Sequence, residues 1–262
     1  MGKSILDNKI AVITGGGKGI GRVIALACAS AGANLVLASR SEDALRDTRA
    51  EVERMGREAL VVPTDITQEA SVRNLAERAL AHFGRVDILV NNSGITGPVK
   101  PLWEVTFDEW QETFDINVTG AFLCCRAFLP AMIERRAGSI IFISSMTGKR
   151  PLYGRATYGA GKMALVGMAR TLAWETGPYG IRVNVVSPGA VAGERLEGVF
   201  RSQAEVEHIS VDEARRNFTE TAPLNRLVSP SDIADAVVFL ASDRAASITG
   251  EDLNVSAGIV MY

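Results

Sequence analysis

Histidine and cysteine are scarce in this chain. There are two histidines, His82 and His208, and three cysteines, Cys28, Cys124 and Cys125. Neither histidine lies in a motif that would make it the base for a thiol, and no His/Cys cluster has metal-ligand spacing, so the expected metal content is none. An odd cysteine count, with two adjacent and all three in apolar helical context, argues against a disulfide frame and for buried thiols in a reducing compartment. Net charge is also nearly absent: 28 Lys and Arg against 30 Asp and Glu give −2. No basic run is dense enough for nucleic acid or a membrane surface, and no apolar run reads as a bilayer span. The first residues carry no signal-peptide core. Met1-Gly2 is followed at position 6 by Leu6, where myristoylation needs Ser or Thr. The expected location is the cytoplasm.

What is present is apolar material for a substantial core, 47% of 262 residues. Short β-rich runs alternate with amphipathic helical patterns. Ile10–Thr14, Asn34–Ser39, 61–66, 86–90, 139–143, 181–186 and Asp252–Val255 read as strands. Residues 44–55, 68–83, 107–135 and 231–241 read as helices, the last capped by Ser229 or Ser231. No composition break divides the chain, so residues 1–262 read as one α/β domain. The alternation predicts a parallel sheet with helices on both faces. Ligands then bind beyond the carboxyl ends of the strands. The looser, charged stretch 193–221 reads as short helices forming a substrate lid.

The first strand runs into Gly15-Gly16-Gly17-Lys18-Gly19-Ile20-Gly21, which opens a helix. Glycines let the backbone approach a pyrophosphate, and the helix N-terminus aims free N–H groups at it. The second strand ends at Ser39-Arg40, where an NAD site would carry Asp or Glu for the ribose hydroxyls. A guanidinium suits a 2′-phosphate instead, and Lys18 adds a second cation, so the pattern favours NADP over NAD. At the third strand end, Asp65-Ile66 places a carboxylate that can accept from an adenine amino group, cap the next helix, or do both. Asn91-Asn92-Ser93-Gly94 ends the fourth strand, where amides can satisfy neighbouring backbone groups and hold the sheet edge open. Asn117 interrupts the apolar face of the 107–135 helix (Phe107, Trp110, Phe114, Val118, Phe122, Phe128) and needs partners: a structural water or a proton relay.

The fifth strand delivers Ser144 and Ser145, and after a loop Tyr158 and Lys162 follow four residues apart. A helix starting near Thr157 puts both on one face. Free tyrosine, with a pKa of about 10, is a poor base at neutral pH. A neighbouring ammonium favours the phenolate and lowers that value. A serine at the strand end can hold a carbonyl oxygen against the phenol. These are the parts needed to move a proton on or off an alcohol oxygen.

Thr14-Gly15-x-x-x-Gly19-x-Gly21, Asn91-Asn92-Ser93-Gly94, Asn117, Ser145, Tyr158-x-x-x-Lys162 and Pro188-Gly189 occur together in one order and spacing. In these motifs, over essentially its whole length, the chain resembles the short-chain dehydrogenases/reductases. The resemblance implies a Rossmann-like, doubly wound sheet of about seven strands. It implies Tyr158 as general acid/base and Ser145, thirteen residues before it, as the residue that positions the substrate oxygen. Lys162 would also bind the nicotinamide ribose, Asn117 would hold a water linking Lys162 to solvent, and Pro188, Gly189 and Val191 would contact the carboxamide. Three departures stand out: Ser93 for the usual Ala, Gly161 for the commoner Ser, and Gly193 where a Thr usually bonds the carboxamide.

The expected reaction is hydride transfer between a nicotinamide cofactor and a carbonyl or secondary alcohol. The rival readings are a 3-oxoacyl-carrier-protein reductase, an NAD-linked polyol or sugar dehydrogenase, and a non-catalytic nucleotide sensor. Ile95, Thr96, Met146, Arg150, Leu152, Tyr153, Arg155, Glu194 and Arg195 are the expected substrate wall. Its three arginines either select an anionic substrate or are solvated loop residues. Family members are commonly homotetramers. The apolar Val255, Ile259, Val260 and Met261 suit a subunit contact or packing within one subunit.

Overall fold

The computed structural model describes residues 4–262, the side chains of residues 195 and 206 excepted. β1 (Ile10–Thr14), β2 (Asn34–Ser39), β3 (Ala59–Pro63), β4 (Ile88–Asn91), β5 (Gly138–Ile143), β6 (Ile181–Pro188) and β7 (Asp252–Val255) form one sheet in the order β3-β2-β1-β4-β5-β6-β7. All its pairings are parallel. Parallel strands need crossovers, and helices supply them. These are α1 (Gly19–Ser30), α2 (Glu42–Arg54), α3 (Glu69–Phe83), α4 (Phe107–Phe114), α5 (Gly120–Arg135), α6 (Ala156–Thr176), α7 (Glu194–Glu207), α8 (Val211–Glu220) and α9 (Pro230–Ala241).

Successive strand residues point to opposite faces, so each strand feeds two cores. In β5, Ile140 and Phe142 join a cluster with Cys124, Phe128 and Met132 of α5 and Leu165 and Val166 of α6. Ile141 and Ile143 join the opposite cluster, with Ile24 and Cys28 of α1 and Ile233 and Val237 of α9. Burial pushes the thiols of Cys28 and Cys124 up to about 12, and that of Cys125 higher still. All three are free and unreactive at neutral pH. A third, smaller cluster gathers Met146, Phe200, Ala214, Phe218 and Val260 beneath α7 and α8.

Several boundaries differ from those expected. β3 lies at 59–63 rather than 61–66; its ladder with β2 ends with Thr64 N donating to Ser39 O, and Asp65 and Ile66 sit in the loop beyond it. β6 runs on through Ser187 and Pro188, paired with β7. The stretch 193–221 is two well-formed helices, α7 and α8, and Ser229 caps α9. The 107–135 helix is interrupted by a π turn at Asp115–Thr119, with Phe107 and Phe122 exposed. By length and composition, Phe107–Arg135 is apolar enough to cross a bilayer, contrary to expectation. Its apolar character has a local cause: Cys124, Cys125, Phe128 and Met132 pack on the sheet. Val260 is buried within the subunit, whereas Met261 is exposed.

Asp87, just before β4, ties three elements together. Its carboxylate accepts from Ile10 N at 2.8 Å, Arg85 Nε at 3.1 Å and Arg135 Nη2 at 2.7 Å. Burial alone would raise its pKa, but these donors outweigh burial and hold it below the usual value. A depressed folded-state pKa gives stability that is present above the unfolded value of about 3.9 and lost as pH falls through the folded one. Asp87→Asn should therefore be less stable than wild type at pH 7, with the gap narrowing below about pH 4. Urea midpoints at the two pH values measure this; a gap that stays constant would contradict the assignment.

Candidate functional site

The strand order reverses between β1 and β4, so the connections after these strands leave in opposite directions and open a crevice at their carboxyl ends. Thr14 closes its floor. Its hydroxyl accepts from Asn92 N and Ser93 N, both at 3.0 Å, and donates to Val90 O, while Asn92 Nδ2 donates to Thr14 O at 2.8 Å. Gly21, in the first turn of α1, packs onto this knot. A Cβ there would lie 2.2 Å from Gly15 O and 2.4 Å from Asn92 Nδ2. The N-terminus of α1 has no side-chain cap, so its first N–H groups face the crevice, an anion site in waiting.

The crevice widens into a cleft of about 770 Å³. Gly15, Lys18, Gly19, Ile20, Gly21, Ser39, Arg40, Asp65 and Ile66 line one half; Asn92, Gly94, Pro188, Gly189 and Val191 line it further along. Asp65 does not cap α3, whose N-cap is Gln68. Its Oδ1 instead accepts from the backbone and hydroxyl of Thr67. Chiefly the Thr67 N–H, with Arg40 adding its charge, holds that carboxyl below its usual range. Two expected residues lie elsewhere. Gly17 packs against Ala44 of α2, and Asn91 points to the helix layer, donating to Cys125 Sγ at 3.4 Å.

Ser145, Tyr158 and Lys162 line the other half. The last two stand on consecutive turns of α6, with Lys162 Nζ 5.7 Å from the phenol ring centroid. The ammonium is buried and held from below, donating to Ile143 O at 2.8 Å. Ser144 does not face the phenol; its hydroxyl donates to Lys162 O and anchors α6 to the end of β5. Ser145 Oγ accepts from Thr147 N and donates to Thr147 Oγ1, both at 3.1 Å. Asn117 sits in the π turn with both ends of its amide engaged: Oδ1 accepts from Ile95 N at 2.8 Å and Nδ2 donates to Ile95 O at 3.0 Å. Its side chain clamps the loop after β4. A Cβ on Gly94 would lie 2.6 Å from Asn117 Oδ1 and 3.3 Å from Lys162 Nζ, so both groups converge on that glycine.

Of the expected substrate wall, Ile95, Thr96, Met146, Leu152, Arg155 and Glu194 line the cleft. Arg150 turns away toward Thr221, and Tyr153 is exposed outside it. The Arg195 side chain is outside the described residues. Leu196 and Val199 of α7 and Phe218 of α8 complete the wall and were not anticipated; their helical spacing was the available signal. Gly193 has φ +148°, a conformation side chains rarely adopt. Behind the Ser145 loop, Lys149 Nζ meets Asp252 Oδ2 at 2.8 Å in a nearly buried ion pair, and Asp252 accepts from Ser187 Oγ at 2.6 Å. The loop after β5 is thereby fixed to the strand that leads into Pro188-Gly189.

Residues 15–260 match the family described as enoyl-(acyl carrier protein) reductase. A short chain dehydrogenase/reductase, astE of Aspergillus oryzae, is 36% identical, covering 98% of this chain and 97% of its own. The chain belongs to the short-chain dehydrogenase/reductase family. The 3-oxoacyl-(acyl-carrier-protein) reductase FabG of Escherichia coli is also 36% identical, covering 97% of this chain and 98% of its own. Among solved structures, NAD+-bound xylitol dehydrogenase superposes with TM-score 0.94 at 31% identity, covering 97% of this chain and 99% of that one. A 7α-hydroxysteroid dehydrogenase complexed with NADH superposes with TM-score 0.89 at 33% identity, over 99% of this chain and 98% of that one. The protein is thus an NAD(P)-dependent oxidoreductase acting between a carbonyl and an alcohol.

The cradle fits a dinucleotide because an uncapped helix N-terminus stands among glycines, and its shape depends on Gly21, where a Cβ would strike Gly15 O and Asn92 Nδ2. Gly21→Ala should therefore weaken cofactor binding by at least about tenfold, ~1.4 kcal/mol. Cofactor titration monitored by fluorescence reads this directly, and unchanged affinity would show that the cradle is not the pyrophosphate site.

Proposed function

We propose that this member uses NADP(H) to interconvert a small carbonyl compound and its secondary alcohol, with Tyr158 as general acid/base. The carrying observation is that Tyr158 and Lys162, on consecutive turns of α6, line the same cleft as the glycine cradle and Arg40. When bound, the nicotinamide supplies the hydride donor or acceptor. Tyr158 gives its proton to the substrate oxygen in reduction and takes it back in oxidation. Lys162, in our reading, favours the phenolate and holds the nicotinamide ribose. Ser145, fixed by Thr147, orients the substrate oxygen. Asn117 positions the Gly94-Ile95 loop and holds the water that links Lys162 to solvent. Pro188, Gly189 and Val191 contact the carboxamide, and α7–α8 act as the lid, within a single domain spanning the chain.

The preference for NADP rests on Arg40, exposed at the cleft edge at the end of β2, with Ser39 rather than an acidic residue ending that strand. Carrier-bound 3-oxoacyl groups remain the second substrate reading, supported by the likeness to FabG. A panel of ketones and alcohols assayed with both cofactors tests these points together. NADPH should be preferred, Arg40→Ala should lose most of that preference, and Tyr158→Phe should cut turnover by about 10²–10⁴-fold while keeping cofactor affinity. Equal use of both cofactors by wild type and Arg40→Ala, or an active Tyr158→Phe, would overturn the respective assignments.

We further place the enzyme in the cytoplasm, consistent with three free thiols, and assign it a homotetramer. Support for assembly comes from apolar side chains left exposed on one protomer: Trp103 and Phe107 near α4, Phe122 of α5, and Met163 and Trp174 of α6. Light scattering should give four chains, and Phe107→Glu combined with Phe122→Glu should dissociate them; a monomeric wild type would refute the assembly.

A further inference from the structure

Met146, Leu152, Ala190, Leu196, Val199 and Phe218 line the cleft, and each also belongs to or packs against the third hydrophobic cluster, beneath α7 and α8. That cluster is therefore a core with one open edge, and the open edge is a wall of the substrate half of the site. Its inner side is closed. Phe200 is fully buried and meets Phe218 edge to face, with ring centroids 5.3 Å apart, which fixes the ring that reaches the cleft. Leu196, Val199, Phe200 and Ala204 follow helical spacing along α7. Phe200 and Ala204 are buried, whereas Leu196 and Val199 stay half-buried. Met146 and Leu152 bring the loop after Ser145 into the same cluster. Polar groups gather instead at the proton-transfer centre. There Ser144 donates to Lys162 O, Ser145 donates to Thr147, and the Arg155 guanidinium lies 4.5 Å from the Tyr158 ring centroid. Glu194 lines the cleft as an exposed residue.

We infer that the substrate carries a hydrocarbon body of several carbons on its reacting carbonyl or carbinol, that this body completes the third core, and that the enzyme thereby selects apolar ketones and alcohols over polyhydroxylated ones. This deepens the function proposed above and rests on it. A wall already packed on its far side gains by covering its near side with apolar surface, since both partners then leave water. A polyhydroxylated body would lay its hydroxyls against side chains that offer no hydrogen bond beyond the weak Met146 thioether, and each hydroxyl stranded there costs free energy. The polyol reading is thus disfavoured by the wall itself, whatever the choice of cofactor. The same contact ties α7 and α8 to the bound substrate, because the residues that touch it are the ones that seat these helices on the cluster.

The test uses the purified enzyme with saturating cofactor and straight-chain methyl ketones from butanone to octanone, together with a ketopentose matched to pentanone. In wild type, kcat/KM should rise about three- to fourfold per added methylene, mainly through KM. Pentanone should exceed the ketopentose by at least about tenfold. Leu196→Asn, which puts an amide on the wall, should lower the octanone-to-butanone ratio by about tenfold. Leu196→Met, which keeps the wall apolar, should hold that ratio. Cofactor affinity and thermal midpoint check that each variant is folded. A flat series in wild type, a preferred ketopentose, or an undiminished ratio in Leu196→Asn overturns the inference. Turnover of no ketone by wild type refutes the proposed function itself, and titration of the matching secondary alcohols into the enzyme–cofactor complex then decides the inference alone. Affinity that climbs with chain length upholds it, and affinity independent of chain length overturns it.

Discussion

The Thr14 hydroxyl holds the ends of β1 and β4 together at the place where the sheet reverses its winding. Three of its contacts lie within a few residues of each other in space but more than seventy apart in sequence. Everything at the cleft refers back to this knot. The glycine cradle is shaped by Gly21 packing on Gly15 and Asn92, and the Ser93-Gly94-Ile95 segment leaves the knot toward Asn117 and Lys162. The dinucleotide half and the proton-transfer half of the site are thus two sides of one junction. Threonine suits this junction because its single oxygen both accepts and donates, and because the ladder fixes its position at the last residue of β1.

Second in importance is the way charge is buried around α6. Lys162 is held by a strand-end carbonyl, Lys149 by Asp252. Buried ammonium groups of this sort are costly unless their donors are used. Both are used to fix backbone: one fastens α6 to β5, the other fastens the Ser145 loop to β6 and β7. The chemistry proposed for the site therefore sits on a frame whose rigidity comes partly from its cations.

Much of this could be read from sequence because the signals are local. The alternation of strand and helix gave the parallel sheet, and β1, β2 and β7 fall where their apolar runs do. The residues at positions 15, 19, 21, 158 and 162, marked by motif spacing, and Ser145, marked by the family resemblance, line one cleft. What failed depended on contacts between distant segments. Asn91 and Gly17 belong to the same short motifs as cleft residues, but strand alternation and the turn of the loop send them into the packing. Whether Asp65 capped a helix depended on Thr67 two residues on. Arg150 and Arg155 are indistinguishable in sequence; only the loop's path buries one and sends the other to Thr221. The wall from α7 and α8 was hidden because a charged surface there masks a narrow apolar stripe.

The π turn at 115–119 has a bearing on how the α4–α5 rod is built. A turn of this kind holds one residue more than an α-turn of the same height. That surplus rotates the winding by about 100° between the two sides, and Thr113 before it and Cys124, Phe128 and Met132 after it are all buried. In mechanical terms the rod carries a local splice. The splice holds Asn117 and re-indexes the rod, so that the two lengths of helix run one residue out of step with each other.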